Sequence, residues 1–266
     1  MNKFFSIAKI SLSQEFSYRT SFVMWRVRNI FQIFLIFFLW DSIFSTPGRE
    51  VFGYDRAKIL TYIFALVIVR GLVLSNKATE VAGEIARSDL TISLLKPISY
   101  FKYWFSRDMA SKALNILFAF FEILILFILL RPEFYFQNDL TILLVFLLSL
   151  VLAIVCYFFL ILFFSMFTFW LPEQAWGLIF LLLIFVDLLG GGVFPLDILP
   201  SSLRSVVYWT PFPYLLFAPI QIYLGKLSLT DSLGSITASL IWVFILYFSI
   251  KKLWKLGLRQ YGAPGR

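Results

Sequence analysis

Very few side chains in this sequence could do chemistry. There is no histidine among its 266 residues, which excludes histidine-ligated metals and histidine general bases. The one cysteine, Cys156, lies inside an apolar run (residues 153–162). It cannot close an intramolecular disulfide and reads as a small core residue. No phosphate-binding loop of the form G-x-x-x-x-G-K-[ST] occurs. The one Gly-Lys pair, Gly225-Lys226, is followed by Leu227 and has no glycine five residues before it. Three ionisable residues, Arg70, Glu122 and Asp187, stand isolated in apolar sequence. A charge in hydrocarbon is costly and by default marks a function. Proton relays need several such groups in register, and these three fall on three different stretches. They read as structural pairs or pore lining, with a proton relay as the alternative; no catalytic or metal-ligating set is expected.

The elements that must position them are membrane spans. Hydrophobic residues make up 61% of the chain and charged residues only 14%, less charge than a soluble domain of this size carries. A helix rises about 1.5 Å per residue, so roughly 20 apolar residues cross a hydrocarbon core about 30 Å thick. Residues 142–168 contain no charge at all. The pattern predicts an all-α integral membrane protein, one permease-like domain over residues 1–266. An interfacial amphipathic helix occupies residues 1–20, with its pattern over 2–18. Six transmembrane helices follow, near 21–44, 57–75, 113–130, 140–169, 175–194 and 232–250. No cleavable signal is expected, because Lys3 and Lys9 are followed by Ser11-Leu12-Ser13-Gln14-Glu15 and not by an apolar stretch.

Charge sets the orientation. With both termini in the cytoplasm, five Lys/Arg precede the first apolar core, six lie in residues 76–112 and five in the tail 251–266, against six outside. Cytoplasmic segments carry such an excess. The net charge of +8 is therefore ascribed to the membrane face and its lipids, with no nucleic-acid partner.

Two connecting segments carry further signals. Residues 76–112 are long and too apolar for disorder. Within them Glu80, Val81, Glu84, Ile85 and Arg87 follow helical spacing, with Val81 and Ile85 on one side, and Lys96-Pro97 stops the helix. This segment reads either as a solvated connection or as a docking helix for a cytoplasmic partner. Residues 195–230 are rich in proline and aromatics and follow Gly190, Gly191 and Gly192 at the outer end of the fifth span. Irregular backbone at membrane depth is tolerated only inside protein or beside water. Gly190–Gly192 and Pro195 therefore read as part of broken or re-entrant helices forming an outer gate, or else as an ordinary surface loop.

Several motifs in order resemble the six-span permeases of type-2 ABC export systems, most closely the small stand-alone branch linked to drug or viologen-like export. They are Phe16-Ser17-Tyr18-Arg19-Thr20-Ser21-Phe22, Leu39-Trp40-Asp41-Ser42-Ile43-Phe44, Glu84-Ile85-Ala86-Arg87-Ser88-Asp89-Leu90 with Leu94-Leu95-Lys96-Pro97-Ile98-Ser99, Phe194-Pro195-Leu196-Asp197-Ile198-Leu199-Pro200, and Gly257-Leu258-Arg259-Gln260-Tyr261-Gly262-Ala263. The resemblance implies a non-enzymatic half-transporter in a prokaryotic plasma membrane. A second permease chain, identical or paired, would complete the pathway. A separate ABC ATPase subunit, binding ATP and Mg, would dock on residues 76–112; this chain would bind no cofactor. A glycan or lipid-linked exporter of the same class, an ATP-independent secondary transporter and a membrane enzyme are the competing readings. The last would need clustered acid, histidine or cysteine side chains, and the secondary transporter would show internal repeats or several membrane charges.

The charge bias predicts an outcome for single cysteines placed in a Cys156→Ala background. Arg49→Cys and Ser202→Cys react with an impermeant thiol reagent in intact cells, and Ser88→Cys is protected. Labelling of Ser88→Cys with protection of the other two would invert the topology.

Overall fold

The structure, a computed structural model, describes residues 19–44, 46, 50–74 and 77–261; the interfacial helix expected over residues 2–18 lies outside them, as does the Pro47-Gly48 turn. The described chain is α-helical, with no strand and one antiparallel bridge between Val51 and Tyr54. The long helices are α1 (Arg19–Ile43), α2 (Arg56–Val73), α5 (Tyr100–Leu130), α6 (Leu140–Met166), α7 (Ala175–Leu189) and α10 (Leu229–Gln260). Short helices fill the connections: α3 (Glu80–Ala86), α4 (Leu90–Leu94), α8 (Ser201–Tyr208) and α9 (Phe217–Tyr223).

Local chemistry fixes several helix starts. Asp55 caps α2 by accepting from the Lys58 amide at 2.7 Å. Asp139 caps α6 from Thr141 (2.8 Å) and Ile142 (3.4 Å), and Ser228 caps α10 from Asp231 (3.1 Å). Each cap satisfies amides that the first helical turn leaves without a partner. At the other end of α5, Arg131 adopts φ 43° and Pro132 follows, so the helix stops there.

Six spans are expected from the sequence. Among the described residues, four helical stretches are long and apolar enough to cross a bilayer: Tyr100–Leu130, Leu140–Phe169, Pro172–Leu189 and Leu229–Gln260. A fifth appears if α2 and Lys77–Ala86, bent by 55°, count as one broken span. In α1 the apolar part is only Ile33–Ile43, because Arg26 and Arg28 occupy its first half. Boundaries differ too. α5 begins at Tyr100, well before the expected residue 113, and α10 runs on to Gln260, so most of the basic tail is helix.

The core is built around α6, which packs along α10 and also against α2, α7 and α9. Cys156, Tyr157, Ile161 and Leu162 on α6 are fully enclosed. Near the C-terminal end of α10, Trp254 stacks on Tyr100 at 4.9 Å between ring centroids, and Phe169 packs edge-on to both Trp254 and Tyr261. Gly257 makes this approach possible: a Cβ there would lie 2.2 Å from the Phe169 ring, which its aromatic neighbours hold in place.

The two glycines of α10 should therefore answer alanine in opposite ways. Gly257→Ala overpacks the aromatic contact and lowers thermal stability in detergent, by about 1–3 kcal/mol. Gly234→Ala, with nothing within 4 Å of the added carbon, leaves stability unchanged or raises it by up to about 1 kcal/mol. Equal effects would show that the Gly257–Phe169 contact does not hold α10.

Candidate functional site: a polar node inside the membrane

Two of the three isolated charges meet. Arg70, in the last turn of α2, donates through Nη2 to Asp187 Oδ1 of α7, 117 residues away in sequence. Its Nη1 also donates to the Gly192 carbonyl at 3.2 Å. Two turns earlier on α2, the Tyr62 hydroxyl donates to the Gly191 carbonyl at 2.7 Å. The Gly190 carbonyl accepts from the Phe217 amide at the start of α9, at 3.0 Å. All three glycine carbonyls that follow α7 thus have donors from other elements. Glu122, the third charge, sits buried on α5.

These contacts fix the depth of the glycines. Tyr62 and Arg70 stand about 9 and 21 Å along α2 from Arg56, and their side chains converge on adjacent carbonyls. The triplet therefore lies level with the middle and last turns of α2. The chain then climbs to Asp197, passes through α8, dips back to the level of Gly190 at Phe217, and rises again along α9. Residues 195–230 thus hold short helices that leave the level of Gly190 and return to it. Gly191 needs its φ of +79°, and a Cβ on it would sit 2.7 Å from the Tyr62 hydroxyl and 3.0 Å from Phe217 Cβ. Pro195 is buried and, in extended conformation, precedes the turn Leu196–Ile198.

At the top of the climb a single carboxylate ties four elements together. Asp197 Oδ2 accepts from the Tyr54 hydroxyl (2.7 Å), Gln221 Nε2 (2.9 Å) and Lys226 Nζ (3.2 Å), and Arg204 Nη1 stands 3.7 Å from Oδ1. Lys226 Nζ also lies 3.1 Å from the centre of the Tyr54 ring and donates to the Phe52 carbonyl. Burial pushes the Tyr54 hydroxyl well above the ordinary tyrosine range, and the Asp197 charge adds to the effect. Burial also lowers the Lys226 ammonium, with Asp197 opposing that shift. The sequence reading missed Tyr54, Asp197, Gln221 and Lys226 as a group. The visible signal was Gln221, a polar residue in the middle of an apolar turn.

The α3–α4 segment uses most of its candidate residues within the chain. Val81 and Ile85 are buried against the chain's own core, so they are not anchors for a partner. Glu84 is also used internally, accepting from Tyr100 (2.9 Å) and Ser93 (3.0 Å). Glu80 pairs with Arg107 (3.2 Å) and lies 3.6 Å from Lys77, while Arg87 pairs with Asp89 (3.0 Å). The apolar groups that do stand out are Ile92, Leu94 and Leu95, with Leu95 81% exposed. Asp108 and Lys112, one helical turn apart, form a buried ion pair at 3.4 Å, and Lys112 donates to the Val73 carbonyl. Among the described residues no cluster of acid, histidine or cysteine side chains could hold a metal ion.

The central pair is only partly enclosed. The Arg70 and Asp187 side chains are 26% and 37% exposed, and Ile184, one turn before Asp187 on α7, is exposed as well. An ion pair opening onto lipid would carry a large solvation cost.

The model of the ABC-2 family transporter proteins matches residues 30–265, and the chain belongs to that family. No curated protein matches it.

Breaking the central pair removes the counter-ion that each group has in the other. Asp187→Asn and Arg70→Gln should each destabilise the protein by about 1–3 kcal/mol, below the 3–5 kcal/mol of a fully buried pair because this one is partly exposed. The double variant should lose less than the sum of the two, as measured by thermal unfolding in detergent. Strict additivity would show that the two groups do not interact.

Proposed function

We propose that this ABC-2 family chain is the permease subunit of an ATP-driven export complex, with two permease chains lining the substrate pathway between them. The supporting observation is the half-exposed Arg70–Asp187 pair at membrane depth. A second chain bringing a water-filled pathway to that face would give the charges the environment they need. On this reading the Gly190–Gly192 break and the re-entrant segment close the pathway on the outer side. Drug-like or viologen-like cargo is the substrate class favoured by the sequence resemblance. The complex sits in a prokaryotic plasma membrane, with both termini cytoplasmic.

Energy would come from separate ATPase subunits that bind ATP and Mg, since this sequence contains no phosphate loop. Their docking surface is assigned to the exposed end of the α3–α4 segment. Ile92 and Leu95 offer apolar anchors (66% and 81% exposed), and the exposed Arg87–Asp89 pair offers charges to set register. The buried Val81 and Ile85 hold that surface in position from behind.

This assignment separates two variants. Ile92→Asp with Leu95→Asp releases the ATPase subunit during co-purification from native membranes, while the permease still inserts and keeps its thermal stability. Val81→Ala instead lowers thermal stability by about 1–2 kcal/mol through lost packing. Full retention of the ATPase by the Ile92/Leu95 double variant places docking elsewhere. Dose-dependent ATP hydrolysis by the purified chain alone would overturn the half-transporter reading.

A further inference from the structure

We infer that the cytoplasmic end of α10 is a binding site for the headgroup of an anionic phospholipid, with the acyl chains lying along the same helix face. Ile241, Phe244, Ile245 and Phe248 are exposed there, and Lys252, Lys255 and Arg259, also exposed, continue the stripe. At 3.6 residues per turn all seven fall within an arc of about 100°. The face is thus apolar over two turns and cationic over the next three.

The register matches a lipid. Lys252 and Lys255 stand about 6 and 10 Å along the helix beyond Phe248. The polar layer on each side of a hydrocarbon core is about 5–8 Å deep, so these ammonium groups lie at the level of lipid phosphates. Arg259, one turn further, can reach back along its own aliphatic stem. Lys251, at the edge of the stripe, rests over the Tyr247 ring at 4.3 Å.

Most other basic groups near this end are already engaged, although among the described residues Lys102 on α5 is exposed and has no acid within ion-pair distance either. Lys77, Arg87, Arg107 and Lys112 are each paired with an acid of the same chain. Among the described residues, Lys252, Lys255 and Arg259 have no acid within ion-pair distance, and α10 contains no Asp or Glu after Asp231. A two-fold copy of this chain meeting the same face would bring like charges together. An acidic soluble partner would account for the cationic turns but would leave the two exposed apolar turns uncovered. An anionic lipid satisfies both halves.

The test uses the full chain purified in a mild detergent and native mass spectrometry. It is titrated with phosphatidylglycerol against phosphatidylcholine of the same acyl chains. The native chain should retain phosphatidylglycerol preferentially, and inorganic phosphate at millimolar concentration should not displace it. The triple variant Lys252→Gln, Lys255→Gln, Arg259→Gln should lose at least about tenfold of that preference, given roughly 1 kcal/mol per basic residue at an anionic surface. A control that neutralises Lys58 and Arg131, at the opposite end of the bundle, should keep it. The inference is overturned if the native chain retains both lipids equally, or if the triple variant keeps the preference. It is also overturned if phosphate alone competes the lipid away, or if the triple variant loses only its ATPase subunit while its lipid binding is unchanged.

Discussion

Three peptide carbonyls at the end of α7 must find donors away from bulk water, and the rest of the molecule is arranged so that they do. In hydrocarbon an unsatisfied backbone group costs several kcal/mol, which is why spanning segments are normally unbroken. Here the break is held by Tyr62 and Arg70 of α2 and by the Phe217 amide of α9. Each donor comes from a different part of the chain from α7. Helix α2 must therefore lie against the α7 break, and α9 must return to its depth. Asp197 then ties the chain after Pro195 and helix α9 to the residues just before α2.

The same constraint explains the charge pair. Arg70 supplies a carbonyl of the break, and Asp187 in turn neutralises Arg70. A neutral donor such as Tyr62 suffices where the site is buried. A guanidinium needs a counter-ion, and the pair stays partly open to the face that a second chain would cover. Structure and proposed transport thus share one set of residues. Whatever moves α7 relative to α2 during a transport cycle must exchange these hydrogen bonds.

Much of this was legible in the sequence, for identifiable reasons. Residues 142–168 carry no charge, and the structure has one helix over Leu140–Met166 with a 3-10 continuation to Phe169. Arg70 and Asp187 stood out as isolated charges, but their pairing spans 117 residues and no local pattern encodes it. The glycines and prolines announced a break in helix after α7 but not what holds it, which includes Tyr62, a residue with no unusual neighbours. The face of α3 that meets the core was not legible. Helical spacing shows that Val81 and Ile85 share a side, but not whether that side meets a partner or the chain's own core. Lys102, Arg107, Asp108 and Lys112 made the start of α5 look like a loop, because the pairing of Arg107, Asp108 and Lys112 is tertiary or helical and invisible in composition.

The central claim is that the Arg70–Asp187 face borders water and a second chain, not lipid. A spin label at Ile184→Cys, on the same exposed side of α7, tests it in a Cys156→Ala chain reconstituted with its partners in bilayers. The comparison is with Phe248→Cys on the exposed apolar stripe of α10. The account predicts that a water-soluble nickel chelate relaxes the label at 184 more effectively than oxygen does, with the reverse at 248. Oxygen dominating at both positions would place the pair against lipid and contradict the account.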